Sequence, residues 1–177
     1  MIPKLNTCFL YHHSFHSNAT KTFNFLVRSA FKFNNQPGTF TCKRTRCKTC
    51  PFISNTVKIS VPYRSVKVTD HFTCISTNVI YCITCTLCKK IHIGETGRRL
   101  ADRFPEHLRD VKKSNTDVSK PAARHFTLPY HSHHNMIICG LSLHHGNTEN
   151  RKNLEKKFIF QLDTLSPHGI NDRLSFH

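Results

Sequence analysis

What the chain lacks already narrows its function. No stretch approaches the roughly 18 apolar residues that a membrane-spanning helix needs. The residues that follow Met1–Leu5 are too polar to form the apolar centre of a signal peptide. No internal repeat is present. We therefore expect an intracellular protein with no membrane partner.

Acidic side chains are scarce as well. Ten aspartates and glutamates oppose 26 lysines and arginines, so the formal net charge is +16. A charge of this size attracts polyanions and releases their counterions on binding. Nucleic acid is the predicted partner, because no long basic amphipathic helix indicates a membrane surface. A basic surface that serves solubility alone is the alternative.

Three regions differ in composition along the 177 residues, which suffice for one core and a small appended module. Residues 1–40 show no sustained hydrophobic period and are interpreted as a linker or a remnant segment. Residues 41–77 are rich in cysteine, with strands predicted near Val57–Val61 and Val66–Val68. Residues 78–177 have the pattern of a compact mixed α/β domain.

The hydrophobic pattern of residues 78–177 predicts three strands and two helices. The strands are predicted at Asn78–Thr84, Lys90–Gly94 and Asn135–Leu143. A basic helix follows Gly97, with its inward face formed by Leu100, Phe104, Leu108 and Val111. A second helix is predicted from Thr148 to Leu165, with its inward face formed by Leu154, Phe158, Leu162 and Leu165.

The nine cysteines are poorly explained by disulfides in an intracellular protein, and their clustering beside histidines favours metal. Cys42, Cys47 and Cys50 are closely spaced, and Cys74 could be a fourth ligand of a zinc ion. The basic residues between them would then face a nucleic-acid backbone: Lys43, Arg44, Arg46 and Lys48. Cys8 and Cys139 have no predicted partner.

A second candidate zinc site begins with Cys85-Thr86-Leu87-Cys88, a compact knuckle between two predicted strands. His125 and His131 offer two imidazoles further along the chain. Thiolate and imidazole ligands in a tetrahedron are a usual zinc set. The alternative is that Cys82 and Cys85 are core thiols and that His131, His133 and His134 form a polar loop.

Five short pieces occur in an order that carries a family resemblance: Val79-Ile80-Tyr81, His92-Ile93-Gly94, Arg103 with His107, Glu155, and Asn171. Together they resemble the paired signature of the GIY-YIG endonucleases, and especially the endonuclease domain of Penelope-like retroelements. That branch has two cysteines between the signature halves and a later histidine pair, here matched by Cys85, Cys88, His125 and His131. It closes with a glutamate-bearing helix and a stretch like Gly169-Ile170-Asn171. The resemblance covers residues 41–177, and the choice of His131 over its neighbours depends on it.

The resemblance implies a small central antiparallel three-stranded sheet flanked by helices, and a DNA endonuclease that nicks with one magnesium or manganese ion. In that mechanism Tyr81 positions or activates the attacking water, and Arg103 holds the scissile phosphate. His107 assists proton transfer, Glu155 binds the cation, and Asn171 orients the site. DNA, or alternatively RNA, is the expected partner, structural zinc is expected beside the catalytic ion, and the expected location is nuclear.

Two departures from the family favour another interpretation. His92 stands where the family has a tyrosine, although an imidazole can also act as a base. Pro105 lies between Arg103 and His107, where a proline in a helix interior removes a hydrogen bond and costs about 3 kcal/mol unless the helix starts late or bends. A kink there would end the fixed relation of Arg103 to His107. The alternative is a non-catalytic zinc-containing nucleic-acid-binding protein or a decayed retroelement fragment. No Tyr-x-Asp-Asp motif of a polymerase is found, so a fragment or orphaned reading frame is expected.

Overall fold

The computed structural model describes residues 36–113 and 120–172, and they belong to one compact unit that starts at Gln36. Most of the predicted linker, residues 1–40, lies outside the described residues, as does Cys8. The strands are β1 Gly38–Phe40, β2 Lys58–Val61, β3 Arg64–Lys67, β4 His71–Thr73, β5 Val79–Cys85, β6 Ile91–Thr96 and β7 Met136–Leu143. The helices are α1 Leu100–Lys112, α2 Pro121–Phe126 and α3 Thr148–Gln161, with 3-10 turns at Cys50–Phe52 and His133–Asn135.

A three-stranded antiparallel sheet in the order β6-β5-β7 forms the centre of the molecule. Its middle strand, β5, is buried at every position except the partly exposed Thr84, as expected for a continuous apolar run between two neighbours. The mixed α/β class with small antiparallel sheets is confirmed. The three predicted strands of residues 78–177 match β5, β6 and β7 to within two residues.

Two glycines make room for aromatic rings on this sheet. Gly94 of β6 and Gly140 of β7 both pair with Tyr81 of β5. A β-carbon at Gly94 would lie 2.5 Å from the Tyr81 hydroxyl oxygen, and a β-carbon at Gly140 would overlap the Phe72 ring. A side chain at either position would therefore displace a fully buried aromatic residue.

Helix α1 turns its predicted apolar face into the hydrophobic core, since Leu100, Phe104, Leu108 and Val111 are all buried there. Pro105 lies inside this helix without ending it. The first turn is held from outside: the backbone N–H groups of Leu100 and Ala101 donate to the carbonyls of Ser76 and Cys74, at 3.1 and 2.8 Å. These bonds satisfy donors that have no partner within a helix.

Helix α3 ends at Gln161, so the prediction that it runs to Leu165 is wrong. Asp163 adopts a left-handed backbone conformation, with φ at 50°. Its N–H donates to the Phe160 carbonyl and that of Thr164 to the Ile159 carbonyl, which is the pattern of a Schellman helix end. Leu165 then pairs with Asn171 in an isolated bridge. Ile170 and Asn171 bond to the backbone of Ile91 and Ile93, so this segment covers the outer edge of β6.

The cysteine-rich part of the chain packs directly on the central sheet. Strand β1, whose three residues fall at the end of the segment interpreted as a linker, pairs in parallel with β4. The Thr39 hydroxyl accepts a hydrogen bond from the backbone of Gly140 at 2.8 Å, and Ile53 bridges Ile138 of β7. Strands β2 and β3 form a separate antiparallel hairpin, whose Ile59 is buried in the core.

Candidate functional site

Tyr81 is the centre of a buried polar group on the sheet. Its side chain is fully buried, and its hydroxyl lies 2.8 Å from Nε2 of His107 and 3.2 Å from Nε of Arg103. Burial raises the pKa of Tyr81 to about 12, so the phenol is protonated near neutral pH. Because a guanidinium can only donate, the phenol accepts from Arg103 and is free to donate its own proton to His107.

Two neutral histidines meet beside this tyrosine. The His92 and His107 rings are both buried, with centroids 5.7 Å apart. Burial and the charge of Arg103 lower the pKa of His92 to about 4. Burial, then His92 and Arg103, lower the pKa of His107 well below its usual range. Nδ1 of His92 is buried and has no hydrogen-bond partner among the described residues. A buried polar atom without a partner is rare in folded proteins, and a role in catalysis is one explanation for it.

Glu155 of α3 completes the group. Burial and the neighbouring Glu95 carboxylate raise the pKa of Glu155 to about 7, against an opposing effect of Arg103. Arg151 lies one turn before Glu155 on the same helix, a spacing at which the two could pair. Instead, the buried Arg151 binds Glu95 at 2.5 Å and also donates to Asn78. Glu155 forms no ion pair in the described parts of the chain, and a hydrogen bond with the backbone of Glu95 acts on its carboxylate and opposes the rise in its pKa.

Two acidic residues of this site were not predicted. Glu95 directly follows the His92-Ile93-Gly94 piece, and its partner Arg151 is far away in sequence. Glu106 accepts from Arg103 at 2.8 Å and from both terminal nitrogens of Arg98, at 2.8 and 2.7 Å. The spacing of Arg103 and Glu106, three residues apart on a helix, was a usable signal for this pair.

Within the described residues, the Asn171 side chain bonds to the backbone of β6 and to Thr164, and to none of the side chains around Tyr81. Its Oδ1 accepts from the Ile93 N–H and its Nδ2 donates to the Ile93 carbonyl, both at 2.8 Å. The Thr164 hydroxyl donates to the same Oδ1 at 2.9 Å. Asn171 thus fixes β6 at Ile93, between His92 and Gly94.

The knuckle of Cys85 and Cys88 comes together with His125 and His131, as predicted. One ligand atom from each of the four residues lies within 4.8 Å of the others. The Cys88 sulfur is 3.4 Å from Nε2 of His125. Nδ1 of His131 lies 3.0 Å from the Pro129 carbonyl, whereas its buried Nε2 has no hydrogen-bond partner in the described structure. This set could hold a metal such as zinc, with the Pro129 carbonyl fixing the imidazole.

Cys42, Cys47, Cys50 and Cys74 form the other cluster, again with ligand atoms within 4.8 Å of one another. The Cys42 and Cys50 sulfurs are 3.6 Å apart, and those of Cys50 and Cys74 are 3.5 Å apart. Sulfurs bound to one zinc at about 2.3 Å would be separated by about 3.8 Å in a tetrahedron. The spacing thus fits a metal such as zinc, and the four thiols are unpaired rather than joined as disulfides. Cys139 is buried in β7 and belongs to neither cluster.

Comparison with known proteins gives no match, whether with protein family models, curated proteins or solved structures. Within the described residues, no helix has the length and apolar character to cross a membrane.

Proposed function

We propose that this chain is a metal-dependent DNA endonuclease of the GIY-YIG type, similar to the integration nuclease of Penelope-like retroelements. The observation that carries the proposal is the Tyr81 hydroxyl, held between Arg103 and His107 in the interior, with the Glu155 carboxylate nearby and in no ion pair among the described residues. A buried tyrosine of the core alone needs no cation, no paired imidazoles and no carboxylate around it.

The chemistry assigned to each residue follows from its surroundings. His107 accepts the phenol proton, so Tyr81 and His107 together can withdraw a proton from an attacking water. His92, neutral and with a free Nδ1, is the alternative base. Arg103 is about one-third exposed, which lets its guanidinium reach a phosphate and balance the charge that develops there.

Glu155 is the proposed ligand of magnesium or manganese, which would polarise the phosphate and stabilise the leaving oxygen. It belongs to neither of the two metal-ligand clusters, so water and substrate oxygens would supply the other ligands. Magnesium bound through one or two carboxylates and substrate phosphates is common. The pKa of Glu155, at about 7, means that cation and proton compete for this carboxylate near neutral pH.

Charge supports DNA as the substrate. Helix α1, which carries Arg103, has exposed basic residues before its first turn and near its end: Arg98, Arg99, Arg109 and Lys112. The loop of the Cys42 cluster brings its basic residues to the start of α1, since Arg44, Arg46 and Arg99 line one shallow cavity of about 320 Å³. Contacts of this kind bind phosphates and position the duplex without reading its sequence.

The test is nicking of supercoiled plasmid with magnesium or manganese. Glu155→Gln keeps the shape of the side chain and is expected to retain DNA affinity and zinc while losing metal-dependent nicking. Glu149→Gln, an exposed glutamate of the same helix, is the matched control and should nick like the unmodified protein. Equal nicking by Glu155→Gln and the unmodified protein would overturn the assignment of this site.

A second candidate is a zinc-containing nucleic-acid-binding protein without catalysis. Two observations favour it: the Tyr81 side chain has no exposed surface, and Glu106 already neutralises part of the Arg103 charge. In that case the unmodified protein binds DNA, with strong dependence on salt, and leaves the plasmid supercoiled.

A further inference from the structure

A cavity of about 500 Å³ lies apart from the Tyr81 group. Its walls are the tip of the β2–β3 hairpin, the turn that follows Cys88, and the end of α3. Its lining includes the start of β6 at Ile91, the residue before His92. None of the residues around the Tyr81 hydroxyl lines the cavity: its walls include neither Tyr81 nor His92, Arg103, His107 or Glu155. The cavity is therefore a different surface from the proposed nuclease site.

The tip of the hairpin carries an aromatic ring with no role in the fold. Tyr63, which lines the cavity, is 97 % exposed. It makes no hydrogen bond or ring contact with the described residues. An aromatic ring at a loop tip, next to an apolar and basic cavity, has both faces open to a planar ligand.

The β2–β3 hairpin also carries an excess of positive charge. Lys58 and Lys67 stand directly opposite each other, and both are exposed. This pair stands at the end of the hairpin away from Tyr63 and lines no part of the cavity at the tip, so it adds to the positive charge of the hairpin as a whole. No acidic residue occurs between positions 51 and 69.

Further positive charge is fixed at the wall of the cavity. Arg64 donates to the Phe160 carbonyl at 2.8 Å, and Lys89 donates to the Thr86 carbonyl at 2.8 Å. Lys90 lies next to Lys89 on the same wall. The acidic side chain that lines the cavity, Asp163, is 2.8 Å from His168. The cavity thus joins an apolar floor to a cationic rim.

We infer that the hairpin tip and this cavity bind a single-stranded nucleic acid, with a base stacked on Tyr63 and the backbone held by the surrounding lysines and arginine. Aromatic rings beside basic grooves bind single strands in this way, because an unpaired base offers its face to the ring. A duplex keeps its bases stacked within the helix and would leave Tyr63 uncovered. The site does not depend on catalysis at Tyr81 and goes beyond the proposed function.

The chain contains no tryptophan, so Tyr63→Trp gives a single indole at the tip, whose fluorescence reports on that position alone. The probe is a short oligothymidylate, and an abasic oligonucleotide of equal length and charge is its control. We expect saturable quenching of the indole fluorescence by oligothymidylate and little by the abasic strand. Equal quenching by the two strands would overturn the inference. So would the absence of quenching at an oligothymidylate concentration at which fluorescence anisotropy shows that binding is saturated.

Substitutions of the same residue give an independent test by anisotropy. Tyr63→Phe retains the ring and is expected to bind oligothymidylate normally, while Tyr63→Ala should bind about tenfold more weakly. Tyr130→Ala, which removes a tyrosine that is 95 % exposed elsewhere, is the matched control and should bind normally. Circular dichroism verifies folding of each variant. Normal binding by Tyr63→Ala would contradict a stacking role.

The two proposals fail separately. Plasmid nicking by the Tyr63→Trp variant without quenching of its indole would overturn this inference and leave the proposed function standing. Quenching of the indole without nicking would support this inference and count against the nuclease.

Discussion

Asn171 allows a sharp test of how the fold supports the candidate site. The Asn171→Ala variant removes three hydrogen bonds at once from a side chain that is 6 % exposed. Two of them satisfy the N–H and carbonyl of Ile93 on the outer edge of β6. Each unsatisfied buried backbone group costs about 1–3 kcal/mol, so we expect a loss of about 4 kcal/mol in the free energy of unfolding. That is a large fraction of the stability of an ordinary domain.

The measurement is urea unfolding followed by circular dichroism, with zinc present throughout. Asn147→Ala is the matched control, because Asn147 is exposed and caps α3 through one hydrogen bond, to the Asn150 N–H at 2.8 Å. Loss of such a cap costs about 1 kcal/mol. Hydrogen exchange of the Ile93 amide should also accelerate in Asn171→Ala. A loss no larger than that of Asn147→Ala would refute the argument that Asn171 acts by fixing β6.

Two further predictions concern metal and pH. Cys88→Ser should lower bound zinc by about one equivalent and reduce the melting temperature. Cys139→Ala, outside both clusters, is the control and should keep its zinc. Unchanged zinc content in Cys88→Ser, measured by elemental analysis, would contradict the site. His92, whose pKa falls from 6.5 to about 4 on folding, should make the protein less stable as pH drops from 6.5 towards 4, because the unfolded chain takes up the proton first. Over this pH range the free energy of unfolding should fall by about 3 kcal/mol because of His92 alone. The His92→Phe variant should lack this part of the pH dependence when its unfolding is measured at several pH values. The same dependence of unfolding free energy on pH in both proteins would argue against a buried neutral His92.

The main elements of the sheet could be predicted because local pattern determines them. The apolar run of β5 has no polar face to present to water, so it must lie between two strands. The inward face of α1 follows from helical spacing alone, and its four predicted residues are buried. Both metal clusters were predictable because thiols and imidazoles in close spacing have few other roles inside a cell.

Contacts between distant segments could not be predicted in this way. The partner of Arg151 is Glu95 on β6 rather than Glu155 one turn along its own helix, and only the packing of α3 on the sheet decides between them. The short parallel pair of β1 and β4 carries too few residues for a periodic signal. The end of α3 depends on the left-handed conformation of Asp163, a residue type that gives only a weak signal for such a position.

Pro105 shows how tertiary contacts decide a question that local rules leave open. Its missing N–H would have bonded the carbonyl of Ala101, and α1 nevertheless continues to Lys112. The turn before it is held by the carbonyls of Cys74 and Ser76, and the Phe104 ring packs against Phe52 with centroids 5.2 Å apart. Arg103 and His107 therefore keep one face and both reach the Tyr81 hydroxyl. Since Cys74 also belongs to the Cys42 cluster, this cluster and the candidate site are joined through the first turn of a single helix.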